Sequence, residues 1–417
     1  NSYLSSTRDE AGANSLPGGE DFYRACLRFH TSTNLFPQEI HNLGLTEVDR
    51  IRNEINKLTS DMGIETQSLS ELASSLLVNK EQQFSSSQEF IAGFRDTIFN
   101  NLYPEMKHIV AQPPTHNLTI ESTEDSKAPL THYEPPSFDG SRPGIFYINS
   151  NLYQNHSRYE VTALAMHGTV PGHHLHDSYM RMNPATPDFR KFIDTTRVAD
   201  VPAKLPLYSV FKEGWALYAE FLGEELGLYN DAYQRLGRLL LELFHSAMLV
   251  VDTGLHGLHW SRDEAIEYLT KHTAMSKPTI ENEVNRYITF PGQAAAYKIG
   301  EIKIKELRQK AKNALGDLFS LSEFHNVVLQ CTGPLSILEE CVNFYIERTI
   351  PVLDDEELDY YDDKQDKDQN VEYNTDSTNS FKESKKNASA TLNVTLLSNI
   401  SIFLLVSILW SIVFPKL

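Results

Sequence analysis

Eight residues, His167-Gly168-Thr169-Val170-Pro171-Gly172-His173-His174, constrain this chain more than any other segment. Three imidazoles are packed into it around a Pro-Gly pair. On a straight helix residues i and i+4 share a face, whereas His167 and His173 are six positions apart. Proline lacks an N–H and its ring presses on the carbonyl four residues earlier, here that of His167, while glycine tolerates dihedrals that other residues avoid. A local bulge at Pro171-Gly172 is therefore expected to return His173 or His174 to the side on which His167 lies.

Two histidines on one helical face grip zinc in the His-Glu-x-x-His motif, where the glutamate beside the first takes a proton from the attacking water. Here that neighbour is Gly168, so the pattern is that of a zinc-binding helix with its general base erased. The same residues also read as a helix end followed by a Pro-Gly turn carrying incidental histidines. A second segment, Lys212-Glu213-Gly214-Trp215-Ala216-Leu217-Tyr218, lies on a helical pattern with Glu213 forty-six residues after His167. Zinc sites of the gluzincin type take their third ligand from a glutamate on a later helix and leave the fourth position open. Alone, Glu213 reads as a solvated carboxylate at a helix start; beside the histidines it becomes a ligand candidate.

At this point the chain resembles the domain-of-unknown-function 885 family. The family's His-Glu-x-x-Pro-Gly-His element corresponds to residues 167–173, its Glu-Gly-Trp-Ala-Leu-Tyr to 213–218, its Val-Asp-Thr-Gly-Leu-His to 251–256 and its Pro-Gly-Gln-Ala-x-x-Tyr-Lys-x-Gly to 291–300. Weaker similarities extend the resemblance over about residues 20 to 350. It implies a mostly helical, metallopeptidase-like domain with one zinc held by His167, His173 and Glu213, His174 being the alternate if the bulge falls differently. Two departures stand out: the family's glutamate is Gly168, and its glutamine is His176. General base catalysis contributes about 10²–10⁴-fold, so its loss implies a severely slowed enzyme unless His174, His176 or Asp177 replaces it. Returning a glutamate at 168 is expected to raise hydrolysis by on the order of 10² or more, provided the rest of the pocket is intact.

Asp252 and His256 follow an apolar helical run and need buried partners. They are read either as orienting a metal-bound imidazole or contacting substrate, or as hydrogen-bonded internally at a helix end. Gln293 and Tyr297, at i and i+4 after the Pro-Gly turn, share a helical face, where an amide and a phenol would hold a peptide carbonyl or oxyanion. The alternative is that they pack and cap the helix.

Helical periodicity recurs over residues 45–62, 90–102, 233–251, 262–270 and 296–314, and the clearest strand-like run is 145–148. Proline-rich stretches at 112–115 and 133–143 read as loops. The fold class is therefore mainly α with little β. The organisation expected is an N-terminal remnant (1–19), a helical domain (20–350), an acidic Ser/Thr/Asn-rich disordered stalk (351–395) and a hydrophobic tail (396–417).

The formal charge is −19, of which −7 falls in residues 351–386, with twelve acidic residues against five lysines. An acidic body argues against a nucleic-acid partner. Residues 400–414 are apolar and uncharged; this is short of the roughly 20 residues a spanning helix needs. With Asn387-Ala388-Ser389 and a polar spacer before it, a glycosylphosphatidylinositol signal fits better than a single-pass helix. Either tether places the domain at the cell surface, and the absence of a hydrophobic leader before Asn1 is read as a missing start. Asn117 and Asn155 begin glycosylation triplets. Cys331 and Cys341 are spaced to close a disulfide, leaving Cys26 unpaired.

The function expected is that of a membrane-tethered extracellular zinc metallopeptidase-like protein, catalytically impaired, that binds short peptides or a protein ligand. An active cell-surface peptidase with a substitute base, and a metal-free structural or adhesion module, are the alternatives.

Overall fold

Local signals set the helix ends. The 25-residue α2 (Pro37–Asp61) starts with proline in its first turn, and Glu39 reaches back to accept from the Phe36 N–H at 2.7 Å. Asp231 accepts from the Gln234 N–H at the head of the helix Ala232–Gly257, and Ser261 and Glu264 form a capping box at the helix Arg262–His272. The computed structural model describes residues 8, 10–65, 68–113, 116–125, 128–137, 139–191 and 208–351. The acidic stretch and apolar tail expected beyond residue 351 lie outside the described residues, as do residues 1–7 and 9 of the expected N-terminal remnant.

In chain order the elements are α1 (Gly19–Thr31), α2, α3 (Leu69–Val78), α4 (Ser87–Asp96) running through a π turn into α5 (Tyr103–Ile109), β1 (Leu118–Thr123), β2 (Thr131–Glu134), β3 (Gly144–Asn149), α6 (Arg158–Gly168), α7 (His173–Met182) and α8 (Asp188–Lys191). There follow α9 (Ser209–Glu225), α10 (Ala232–Gly257), α11 (Arg262–His272), α12 (Lys277–Thr289), α13 (Ala296–Leu315), α14 (Leu321–Gln330) and α15 (Leu335–Thr349). The protein is mainly helical, and the periodic segments read from sequence all fall within helices or the π turn. The sheet is small, in order β1-β3-β2, with β1 parallel and β2 antiparallel to β3. Tyr133, expected in a loop, instead pairs with Phe146 in that sheet.

Two apolar clusters form the core. One joins the sheet to α6, α9, α13, α14 and α15; the other packs α2, α3, α11 and α12 around α10. α10 is long and apolar enough to cross a membrane, yet it is buried between these neighbours.

Between the clusters lies a buried charge network. Lys298, 1% exposed, meets Glu301 at 2.6 Å, Glu242 at 2.7 Å and Glu47 at 3.0 Å. Arg50 bonds Glu242 and Glu47, and Arg238 bonds Glu242 and Glu224, so α2, α9, α10 and α13 are tied at one point. Cys331 and Cys341 are joined by a disulfide at the end of α14 and within α15, and Cys26 is free and buried.

Candidate metal centre

The two histidines reach each other across a break between helices, which replaces the bulge expected within one. α6 ends at Gly168 and α7 starts at His173, with a cis Val170–Pro171 peptide between them. At Gly172 any Cβ would overlap the carbonyl oxygen of His167, so only glycine lets the chain double back this tightly. Trp215 on α9 donates from its indole to the carbonyl of Pro171 at 2.7 Å, which fixes the turn against the helix that carries Glu213.

The structure thereby brings together His167, His173 and Glu213, whose ligand atoms lie within 4.8 Å of one another. Glu213 Oε2 is 3.4 Å from His173 Nε2 and 3.7 Å from His167 Nε2. Two imidazoles and one carboxylate converging on a shared point form a donor set that fits a zinc ion with one position open. His174 is turned away: Tyr133 bonds one ring nitrogen at 2.9 Å and the carbonyl of His116 bonds the other at 3.1 Å.

A second carboxylate orients the first imidazole. His167 Nδ1 donates to Glu220 Oε1 at 2.7 Å, and Glu220 is 2% exposed. Burial opposes charge on His167, but hydrogen bonds and the charges of Glu213 and Glu220 overcome it and raise the imidazole to about 9. Burial pushes His173 down to about 4, and its Nδ1 is buried without a hydrogen bond. For Glu213 the pull of the two histidines outweighs burial and holds the carboxyl well below its usual range. Glu220 was not singled out from sequence, although it lies two turns after Glu213 and hence on nearly the same helical face.

Beside the first ligand, Gly168 packs against an aromatic ring. A Cβ placed there would overlap Phe146 of β3, with Cδ2 at 3.0 Å, and Phe146 is fully buried. A glutamate returned at 168 would therefore require the Phe146 ring to move, which bears on the condition of an intact pocket attached to the expected gain in hydrolysis. His176 packs on Phe211 with its Nδ1 3.5 Å from Asp177, and Asp177 lies 3.4 Å from Lys212.

Asp252 and His256 serve the interior. Asp252 accepts from the Tyr23 hydroxyl at 2.6 Å and from the Gly292 N–H at 3.0 Å. His256 accepts from the Ala13 N–H at 2.9 Å and lies 3.0 Å from the carbonyl of Tyr287. Both are thus engaged away from the histidine cluster. Gln293 and Tyr297 do meet, at 3.4 Å, with Arg286 bonding the Gln293 carbonyl oxygen. His245 of α10, absent from the sequence-derived candidates, lies between the rings of His167 and Tyr297.

The structure of a candidate lipoprotein from Colwellia psychrerythraea is similar with a TM-score of 0.77 at 32% identity, over 83% of this chain and 58% of that one. A candidate lipoprotein of unknown function from Shewanella oneidensis shares the fold, with a TM-score of 0.66 at 15% identity, over 81% of this chain and 61% of that one. The chain therefore spans less than two thirds of the length of either relative. No curated protein matches it. The family described as bacterial protein of unknown function DUF885 matches residues 1–342, and the chain belongs to that family.

Proposed function

We propose that the chain is a membrane-tethered, zinc-binding, gluzincin-like protein that holds a peptide or protein ligand without cutting it at ordinary enzymatic rates. The observation that carries this reading is the buried Phe146 ring against Gly168, which occupies the place where a side chain at 168 would begin. The neighbourhood is otherwise equipped for a ligand. His167, His173 and Glu213 would supply the donors, and Glu220, bonded to His167 Nδ1, leaves Nε2 as the nitrogen that would give up its proton to a metal. Zinc there would polarise a ligand carbonyl and activate water.

The chain's own residues supply little to move the proton. His174 has both nitrogens engaged, and Asp177 faces Lys212. The experiment is metal analysis and peptide hydrolysis on the purified chain. About one zinc per chain is expected, lost in the His167→Ala, Glu213→Ala variant, together with hydrolysis reduced by about 10²–10⁴-fold relative to an intact zinc peptidase. Equal zinc in both proteins removes the metal assignment, and chelator-sensitive cleavage at ordinary rates removes the binding role.

The tether is supported by the uncharged run at 400–414 and by the description of the relative at 32% identity as a candidate lipoprotein. Release from expressing cells by phosphatidylinositol-specific phospholipase is expected; retention after complete digestion indicates a spanning helix.

A further inference from the structure

His245 lies over the candidate metal centre without being one of its ligands. Its ring is within 7° of parallel to His167, with centroids 6.0 Å apart, and its other neighbour is the Tyr297 ring at 5.2 Å. Nδ1 is 2.9 Å from the backbone carbonyl of Leu241, one helical turn earlier. A carbonyl oxygen can only accept, so Nδ1 carries the hydrogen and Nε2 is a bare lone pair. Among the described residues nothing bonds to Nε2, and it is not one of the buried, unpartnered side-chain atoms.

Tyr297 carries the opposite polarity. Arg286 donates to the carbonyl oxygen of Gln293, which turns the Gln293 amide nitrogen toward the phenol oxygen at 3.4 Å. With its oxygen accepting from that amide, the hydroxyl retains its own proton for a further partner. An acceptor and a donor thus stand in adjacent rings beside His167. In an extended peptide the N–H and C=O of a single residue point to the same side, as they do when a strand pairs with its neighbour.

We infer that His245 and Tyr297 read the backbone of an extended peptide: His245 Nε2 accepts the N–H of one residue and the Tyr297 hydroxyl donates to its C=O, while an adjacent group of the ligand meets the metal. His245 is on this view a specificity-determining residue that selects peptides over esters and isolated carboxylates. The inference rests on the reading of the site as a zinc-held peptide pocket.

The test uses a matched pair of probes: a dipeptide amide capped with a metal-binding hydroxamate, and its twin in which the N–H is replaced by an ester oxygen. Affinities are measured by calorimetry on the zinc-loaded full chain. The wild-type protein is expected to bind the amide about tenfold more tightly than the ester, the effect of one hydrogen bond. His245→Phe keeps a ring in the stack but lacks the acceptor, so it is expected to lose the preference and bind both compounds at the ester's affinity. His245→Gln, which retains an acceptor, should recover part of the preference. Tyr297→Phe should weaken both compounds alike.

Absence of an amide preference in the wild-type protein overturns the inference whatever the variants do. So does a preference that survives in His245→Phe. If neither compound binds the zinc-loaded wild-type chain, the pocket reading itself falls and the inference goes with it.

Discussion

At the scale of single residues, Gly168 is packed against the buried ring of Phe146, which comes from the separate strand β3. A Gly168→Glu change alone is expected to lower stability by about 1–3 kcal/mol through overpacking against Phe146 and to leave hydrolysis unchanged. Gly168→Glu combined with Phe146→Ala makes room, and peptide hydrolysis by the zinc-loaded double variant is expected to rise on the order of 10² over the starting chain. A rise of that size in the single variant would show that the ring does not hold the position. The pairing was not legible in the sequence, because Gly168 and Phe146 meet only through the packing of β3 against α6. The three ligand candidates were legible because their residue types and order match a motif. Glu220 and His245 were missed because a lone carboxylate or imidazole within a helical pattern looks the same whether it serves a site or a core. Asp252 and His256 show the converse. Their burial demanded partners, as the sequence indicated, but only the fold reveals that those partners are Tyr23, Gly292, Ala13 and Tyr287.

At the scale of elements, α9 and α13 approach backbone to backbone. A Cβ at Gly214 would overlap Gly300 and stand 2.9 Å from the Glu301 nitrogen. This approach fixes Glu213 on one helix relative to Tyr297 on the other. Gly214→Ala is therefore expected to push the helices apart, lowering stability by roughly 1–3 kcal/mol and weakening zinc binding together. Denaturant titration and metal competition on the same protein measure both; a stability loss with unaltered zinc affinity would separate the helix spacing from the site. Periodicity placed the helices in the sequence, since each buries one apolar face. It was silent on the break between α6 and α7, where the spacing of His167 and His173 fitted a bulge equally well. It also passed over Tyr133, whose proline-rich surroundings hid a short strand.

At the scale of the whole molecule, several histidines are held neutral by burial, and this fixes how the fold responds to acid. His325 is fully buried; its Nδ1 donates to the carbonyl of Ile109 at 2.7 Å, its Nε2 accepts from the Tyr218 hydroxyl at 2.9 Å, and burial pushes it down to about 3. Between the unfolded value near 6.5 and that folded value the unfolded chain binds the extra proton, so stability is lost as pH falls through this window. His325 alone should remove about 2 kcal/mol between pH 8 and pH 5, with His30 and His174, each at about 4, adding in the same direction. Denaturant unfolding at the two pH values measures the loss, and His325→Gln is expected to recover most of the share assigned to it; an unchanged pH dependence in that variant would shift the effect to other groups. The charges around Lys298 carry a consequence of another kind. Glu47, Arg50, Arg238, Glu242, Lys298 and Glu301 each answer two or more opposite charges, so changing one leaves the buried members, Arg238, Glu242, Lys298 and Glu301, short of a partner. A lineage drifting away from this sequence can relinquish the cluster only through concerted replacement, and the six positions should be inherited as a block.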